Sequence, residues 1–206
     1  MTVRGKFITF EGIDGAGKST HIPFVSDWIR AKGHDVITTR EPGGTPLGET
    51  LRNLLLHEKM QPDTEALLMF ASRREQVLST IVPALEKCIW VACDRFTDST
   101  YAYQCGGRGV DSARIRVLAD WVHRDVMPDL TLLFDAPVEV AQTRVAQGGT
   151  APDKFEREQA AFFERVRHAY LQLAAAEPGR IKVIDSSASI DVIRGEVRRH
   201  LEALAQ

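Results

Sequence analysis

The sequence predicts an α/β fold in which a five-stranded parallel sheet is flanked by helices. Five short runs of β-type residues alternate with longer helical patterns along the 206 residues. Strands that are separated by helices form parallel sheets with right-handed crossovers. The third run, CIWVACD at 88–94, is apolar almost to its end, which is typical of a strand covered on both faces. Since no linker, repeat or low-complexity tract interrupts the alternation, we expect one domain over residues 1–206.

The expected elements follow one another as strand and helix. The predicted strands are KFITFEG (6–12), HDVITTR (34–40), CIWVACD (88–94), LTLLFD (130–135) and RIKVID (180–185). The predicted helices cover about 18–32, 49–57, 63–86, 111–126 and 138–147, a long segment that ends near 176, and 190–205. In such a sheet ligands bind at the carboxyl ends of the strands. Polar residues collect at these ends: Asp14, Arg40, Glu41, Asp94, Arg95 and Asp135.

Charge and composition exclude several classes of partner. The formal net charge is −2, so no bulk field attracts nucleic acid or an acidic membrane surface. Apolar runs such as Cys88–Cys93 are far shorter than a membrane span, and the first residues lack the apolar core of a signal peptide. Three cysteines without a CxxC pair favour free thiols in a reducing compartment. We therefore expect a cytoplasmic protein with no nucleic-acid or membrane partner.

The segment FEGIDGAGKST, residues 10–20, contains the pattern G-x-x-x-x-G-K-[ST] between the first strand and the first helix. Glycines let backbone N–H groups converge on phosphate oxygens, and the helix N-terminus adds partial positive charge. Lys18 is expected to reach the β- and γ-phosphates of a nucleoside triphosphate, and Ser19 to bind Mg²⁺. A glycine turn without a ligand is the alternative. The predicted triphosphate-binding residues are Gly12, Ile13, Asp14, Gly15, Ala16, Gly17, Lys18, Ser19 and Thr20.

This pattern occurs in several classes of protein, and other residues separate them. A switch GTPase needs N-K-x-D to recognise guanine, but the single asparagine, Asn53, precedes two leucines. A motor ATPase usually ends an apolar strand in two adjacent acids, whereas the third strand here ends in Asp94–Arg95. An acid followed by a base suits a site that holds both Mg²⁺ and a second phosphate.

Three further motifs carry a resemblance to a known family. They are TREPGGTPLGE (39–49), DRFTDSTYAYQ (94–104) and GGRG (106–109). Together with the glycine-rich loop, they closely resemble the thymidylate kinases over nearly the whole chain. The resemblance implies the P-loop nucleoside monophosphate kinase fold with a short lid, and transfer of the γ-phosphate of ATP to dTMP. A kinase of another nucleotide and a nucleotide-dependent switch are the alternatives.

The resemblance also explains why a carboxylate, Asp14, lies in a loop that binds anions. The matching acid of the family contacts the 3′-hydroxyl of dTMP; the alternative is that Asp14 caps its own turn. Arg95 is expected to hold the acceptor phosphate, because a planar guanidinium suits it. Asp94 and Glu41 are expected to help Ser19 bind Mg²⁺, and a purely structural Asp94–Arg95 pair is the alternative.

The remaining acceptor residues follow from the same resemblance. In MFASRREQ, Phe70 and Arg74 are four residues apart and share a helix face, which implies that Phe70 stacks on thymine and Arg74 binds a base carbonyl. The alternative is that Phe70 belongs to the hydrophobic core. Arg73 is the candidate for phosphate. Other implied roles are exclusion of a ribose 2′-hydroxyl by Tyr103, base recognition by Thr100 and Gln104, and contact with the acceptor or its metal by Arg40 and Glu41.

The lid, about 146–157, departs from the family pattern. The family places an arginine either in the loop after its acid or in the lid, but this chain has Gly15 in the loop and Ala146 and Gly148 where basic residues are usual. We therefore expect Lys154 or Arg157 to move in when the segment GGTAPD (148–153) closes, and to supply positive charge to the migrating phosphoryl group. The alternative is that Lys154 and Arg157 are both solvent-exposed charges on a helix. Arg144 is expected to lie against the ATP base, and the family implies a homodimer.

Overall fold

The structure is a computed structural model that describes residues 4–147, 153–156 and 158–206. Five strands form one sheet in the order β2-β3-β1-β4-β5, and every pairing is parallel. The strands are β1 (Phe7–Glu11), β2 (Val36–Arg40), β3 (Trp90–Asp94), β4 (Leu130–Asp135) and β5 (Ile181–Asp185). The predicted five-stranded parallel sheet is confirmed, with each strand one or two residues shorter than its sequence pattern or equal to it.

Helices connect the strands. They are α1 (Lys18–Ala31), α2 (Pro46–His57), α3 (Pro62–Gln76), α4 (Val82–Glu86), α5 (Thr97–Thr100), α6 (Ser112–His123), α7 (Val138–Gln147), α8 (Ala160–Ala176) and α9 (Ile190–Ala205). Two π-helical segments, Val77–Ile81 and Tyr101–Gly107, continue α3 and α5. The predicted helix at 63–86 is therefore α3, a π-helical segment and α4 in succession. The structure corrects the start of α2, because Pro46 opens it and Thr45 Oγ1 caps it by accepting from Gly48 N at 2.9 Å.

The sheet is buried on both faces, as its apolar strands predict. Along β1, Ile8 and Phe10 join the core formed with α1, α8 and α9. Phe7 points to the opposite face and packs with Val77 and Ile81, since successive side chains of a strand alternate between faces. No helix of the described residues combines the length and the apolar character that crossing a bilayer requires.

Strand register brings the polar ends of the central strands together. Phe10 of β1 and Arg40 of β2 both lie beside Asp94 of β3. On its other side β1 pairs with β4, so the chain runs from β1 to β2 and β3 on one side of the sheet and then crosses β1 to reach β4 and β5 on the other side. A crevice opens at the carboxyl ends of strands where the connections diverge, and of the polar residues predicted above Asp14, Glu41 and Arg95 line it.

Candidate active site

A glycine-rich loop joins β1 to α1 at the carboxyl edge of the sheet. Lys18 folds back over this loop and donates to the carbonyls of Gly12 and Ile13 at 3.0 and 3.1 Å. Gly17 precedes α1 as its N-cap residue, with φ +94° and no side-chain cap, which leaves the first helical N–H groups available to an anion. Ser19 and Thr20 are exposed in the first turn, whereas Ile13 and Ala16 are buried in the core. Burial, followed by repulsion from Arg95, lowers the pKa of Lys18.

Gly15 has a structural reason to lack a side chain. Its φ is +81°, and a Cβ atom there would collide with the backbone carbonyl of Ala141 in α7. An arginine at this position would therefore require α7 to move away from the loop. The glycine at residue 15, where the family pattern allows an arginine, is therefore consistent with the close approach of α7.

Asp14 projects from the loop toward Arg95, the residue after β3. Arg95 Nη2 donates to Asp14 Oδ1 at 2.5 Å, and the hydroxyl of Tyr103 donates to Asp14 Oδ2 at 3.0 Å. Burial alone would raise the pKa of Asp14, but the guanidinium of Arg95, and after it Lys18, lower it to about 2. Asp14 is therefore a carboxylate at neutral pH, and the sequence alternative in which it caps its own turn is not what the structure contains.

Asp14 and Arg95 form one end of a cleft with about 580 Å³ of empty space. Glu41 and Arg73 form an ion pair in its wall, with Glu41 Oε2 2.7 Å from Arg73 Nε. Glu41 Oε1 and Arg73 Nη1 are buried without a hydrogen-bond partner, so both retain capacity to bind a ligand. The predicted acceptor residues that line the cleft are Asp14, Glu41, Arg73, Arg95, Thr100, Tyr103 and Gln104.

The predicted pair on α3 is displaced by one residue. Met69 and Arg73, four residues apart, line the cleft, whereas Phe70 and Arg74 do not. Phe70 is 2% exposed, and its ring lies under the guanidinium of Arg73 with 4.7 Å between Cζ and the ring centroid. Arg74 is exposed and donates to the carbonyl of Val122 at 2.8 Å. The physical reason is that α3 turns its Met69–Arg73 stripe toward the cleft, while its next stripe packs against α6.

Arg40 is also corrected by the structure. Its side chain points to solvent and pairs with Glu49 at 3.0 Å, and it does not line the cleft. Arg52, which sequence analysis missed, lines the cleft and donates to the carbonyl of Pro42 at 3.0 Å. Burial, and next the charge of Arg40, lower its pKa. Leu56, one turn further along α2, lines the same cleft, so helical spacing was the only signal in the sequence.

The residues predicted to bind Mg²⁺ fit a weakly held ion. Asp94 Oδ1 is buried without a partner at the end of β3, and the hydroxyl of Ser19 lies in the exposed first turn of α1. The described residues contain no group of three or more His, Cys, Asp or Glu side chains that could hold a metal. Mg²⁺ usually keeps several waters and takes one or two carboxylates plus substrate phosphates, so this donor set is suited to an ion that arrives with a nucleotide.

The lid residues are divided among different places. Lys154 lies 2.8 Å from Glu65 Oε2 and donates to the carbonyl of Glu58, so in this structure its ammonium is paired outside the glycine-rich loop. The physical reason is that Glu65 is 2% exposed and attracts the ammonium. Arg144 donates to the carbonyls of Ser186 and, at 3.5 Å, Gly15 beside the loop. Arg157 and Gly148 lie outside the described residues.

Two lid residues that sequence analysis did not select reach the cleft. Asp153 and Phe155 line it together with Tyr103, and the rings of Phe155 and Tyr103 meet edge to face with centroids 5.9 Å apart. Gln104 also lines the cleft and donates to Glu65 at 2.9 Å. The segment that begins at Asp153 therefore closes one side of the cleft.

Comparison with known proteins agrees with this arrangement. The family model described as thymidylate kinase matches residues 10–197. Thymidylate kinase of Cupriavidus necator is 59% identical over 199 residues, which cover 96% of this chain and 98% of the relative. Thymidylate kinase of Thiobacillus denitrificans is 56% identical over 204 residues, or 99% and 100% of the two chains. The crystal structure of thymidylate kinase from Ehrlichia chaffeensis superposes with a TM-score of 0.78 at 37% identity, covering 96% of this chain and 98% of that one. This chain belongs to the thymidylate kinase family.

Proposed function

We propose that this protein transfers the γ-phosphoryl group of ATP to the 5′-phosphate of dTMP and releases ADP and dTDP. The observation that carries the proposal is the position of Arg95 between two anion sites. Its Nη1 donates to the carbonyl of Gly12 in the glycine-rich loop at 3.0 Å, and its Nη2 contacts Asp14 in the cleft. One guanidinium therefore joins the donor loop to the acceptor cleft, as in-line transfer between two nucleotides requires.

On the donor side, the loop amides and the N-terminus of α1 bind the triphosphate, and Lys18 leaves the carbonyls of Gly12 and Ile13 to pair with it. Arg144 lies at the edge of the loop, where it stacks against the ATP base. Asp94 and Ser19 would hold Mg²⁺ together with ATP, and Glu41, whose buried Oε1 has no hydrogen-bond partner, would be the third oxygen ligand. The ion would neutralise phosphate charge.

On the acceptor side, Asp14 accepts a hydrogen bond from the 3′-hydroxyl of the sugar. The ring of Tyr103 lies beside Asp14 and leaves a ribose 2′-hydroxyl without a partner, which disfavours ribonucleotides by about 1–3 kcal/mol. Arg95 and Arg52 bind the 5′-phosphate, since both guanidinium groups line the cleft. Arg73, Thr100 and Gln104 face the base, where Arg73 Nη2 already donates to Thr100 Oγ1 at 3.1 Å.

The attack of a 5′-phosphate oxygen on the γ-phosphorus brings together two anions. Arg95 holds the attacking phosphate, and Lys18 stabilises the oxygens of the migrating group. Arg157 remains the candidate for an additional cation from the lid, because Lys154 is paired with Glu65. Exclusion of water by the segment that contains Phe155 favours transfer to dTMP over hydrolysis.

The protein is proposed to be a cytoplasmic homodimer. Leu67 on α3 and Val117 and Trp121 on α6 are 55%, 68% and 78% exposed, and α3 and α6 pack side by side. Apolar side chains of this size that are exposed on neighbouring helices are typical of an interface between subunits.

A steady-state assay with ATP–Mg²⁺ tests the activity against dTMP, dUMP, ribothymidine monophosphate, dCMP and AMP. We expect dTMP to give the highest kcat/KM, and dUMP to be lower because a lost methyl contact costs about 1–3 kcal/mol. Faster phosphorylation of AMP than of dTMP would assign the protein to another nucleotide. ADP release that does not depend on dTMP would instead identify a nucleotide-dependent switch.

A further inference from the structure

Arg95 is supported by a group of three side chains, Glu11, Ser99 and Tyr170. Glu11 is the last residue of β1 and is 0% exposed, and Tyr170 in α8 is 2% exposed. Ser99 lies between them in α5 and is partly buried. Because Glu11 is completely enclosed by protein, its carboxylate has no direct access to a nucleotide in the cleft.

The three side chains form a two-layered hydrogen-bond network under the guanidinium. Arg95 Nη1 donates to Ser99 Oγ and to the hydroxyl of Tyr170, each at 3.2 Å. Both hydroxyls donate in turn to the same oxygen, Oε2 of Glu11, at 2.5 and 2.8 Å. Each hydroxyl has a single proton, so when both protons point to an ionised Glu11 the hydroxyl lone pairs face Arg95. Ser99 Oγ and the Tyr170 hydroxyl also lie 2.7 Å apart, close enough for one of them to donate to the other instead.

The second carboxylate oxygen acts on the backbone. Arg95 has φ +71°, in the left-handed region that residues with a Cβ atom rarely adopt. Glu11 Oε1 accepts from the N–H of Phe96 at 2.7 Å, and the N–H of Arg95 itself donates to Phe10 O at 3.0 Å. The carboxylate therefore also holds the peptide that follows Arg95 and stabilises the unusual turn from which the guanidinium projects.

The electrostatic surroundings agree with this linkage. Burial, and after it the charge of Asp98, raise the pKa of Glu11 to about 7, while Arg95 and the bonds from Ser99 and Phe96 oppose the rise. A carboxylate that is removed from water is stabilised only by charges and donors close to it. Among the charges around Glu11, the positive charge of Arg95 is the one that stabilises its ionised form.

We propose that Glu11 is a positioning residue that acts through Ser99 and Tyr170 to direct the Arg95 guanidinium toward the acceptor phosphate. The inference rests on the proposed function, because it assigns the acceptor phosphate to Arg95. It extends that function because Glu11, which does not touch the substrate, would affect the affinity for the acceptor through Arg95, which does.

Tyr170→Phe is the most conservative test, because it removes one oxygen and keeps the ring. We expect kcat/KM for dTMP to fall about tenfold, the loss expected for one hydrogen bond to a charged group, while KM for ATP stays within about twofold. Tyr101→Phe is the matched control, since Tyr101 packs beside α6 outside this network, and it should change neither constant by more than about twofold. Equal loss of affinity for ATP and dTMP in Tyr170→Phe would indicate general loosening of the fold and would overturn the proposal.

A double-mutant cycle with Arg95→Lys then asks whether Tyr170 acts through Arg95. Two hydroxyl groups can fix the orientation of a planar guanidinium, but they cannot do so for the flexible ammonium of a lysine. Adding Tyr170→Phe to Arg95→Lys should therefore reduce kcat/KM by less than about a further twofold. Full additivity of the two losses would show independent action and refute the proposal. Glu11→Gln should reproduce the dTMP-selective loss; if circular dichroism shows that this variant does not fold, the Tyr170 cycle decides alone.

The two levels of inference fail in different ways. If the wild-type protein phosphorylated another nucleoside monophosphate, the proposed function would be wrong, and the same cycle measured with that monophosphate would still test the positioning of Arg95. If dTMP were the substrate and the cycle were additive, only the role of Glu11 would be wrong.

Discussion

Arg73 of α3 donates to the carboxylate of Glu41 at 2.7 Å, and the two side chains are 2% and 4% exposed. The pair lies in the wall of the acceptor cleft, while Arg74, the next residue along the chain, faces away from it. Position along α3 thus places two adjacent arginines in different surroundings.

The first prediction compares Arg73→Gln with Arg74→Gln. Arg73→Gln should raise KM for dTMP by about 10–100-fold, because a charged hydrogen bond contributes about 1.5–3 kcal/mol. It should also lower the Tm, since Glu41 loses its buried partner. Arg74→Gln, the matched control, should keep KM for dTMP within about threefold. The reverse ranking would restore the assignment made from the sequence.

The second prediction concerns Asp14 and the sugar of the acceptor. Asp14→Asn should reduce kcat/KM for dTMP by about 10–100-fold because the charged acceptor of the 3′-hydroxyl is lost. With 3′-deoxy-dTMP, which lacks that hydroxyl, the same substitution should cost less than about threefold. An equal loss with both substrates would mean that Asp14 serves only to hold Arg95.

The third prediction separates the two lid cations. Lys154→Ala should reduce kcat less than tenfold, because the ammonium is engaged by Glu65, but it should lower the Tm by leaving Glu65 buried beside fewer cations. Arg157→Ala should reduce kcat more than tenfold, equal to about 1.4 kcal/mol of barrier. If neither variant crosses that threshold in single-turnover measurements, the additional cation does not come from these lid residues.

The fourth prediction is a pH dependence of stability that arises from His123. This residue is 4% exposed, and its Nε2 lies 2.6 Å from Thr97 Oγ1. Burial, followed by the charge of Arg73, lowers its pKa to about 4 from 6.5. The unfolded chain therefore binds a proton at this histidine below pH 6.5, whereas the folded protein binds it only below about pH 4. The free energy of unfolding decreases as the pH falls through that window.

Between pH 7.5 and pH 5, this single group should remove about 2 kcal/mol from the free energy of unfolding. Urea denaturation of the wild type and of His123→Gln at both pH values measures it, and the variant should lose about 2 kcal/mol less than the wild type. His168→Gln, on the exposed side of α8, is the control for loss of a histidine. Identical pH dependence in wild type and His123→Gln would rule out this explanation.

The fifth prediction concerns assembly. Trp121→Glu should shift the protein from dimer to monomer in light scattering, because it places a charge among apolar side chains at the proposed interface. Trp28→Glu is a suitable comparison, since Trp28 is partly buried on α1, away from α3 and α6. A monomeric wild type would refute the proposed homodimer.

Features encoded by neighbouring residues could be predicted from the sequence. The glycine-rich loop is a contiguous pattern, and its backbone path follows from local glycine conformations and the start of α1. The five strands and most of the helices follow from hydrophobic periodicity, which reports burial without knowledge of the neighbours. Asp94 ends an apolar strand and Arg95 directly follows it, and this adjacency is enough to place both residues at the carboxyl edge of the sheet.

Features that depend on the rotation of one element against another were decided only by the tertiary structure. A rotation of about 100° per residue separates Arg73 from Arg74, and the packing of α3 on α6 determines which of them enters the cleft. Likewise, Glu65 captures Lys154, Glu49 captures Arg40, and Glu11 reaches Arg95 through Tyr170, a residue 159 positions away from Glu11 along the chain. Charges attract the nearest partner in space, and spatial distance between elements is set by packing of the whole chain, which local sequence does not record.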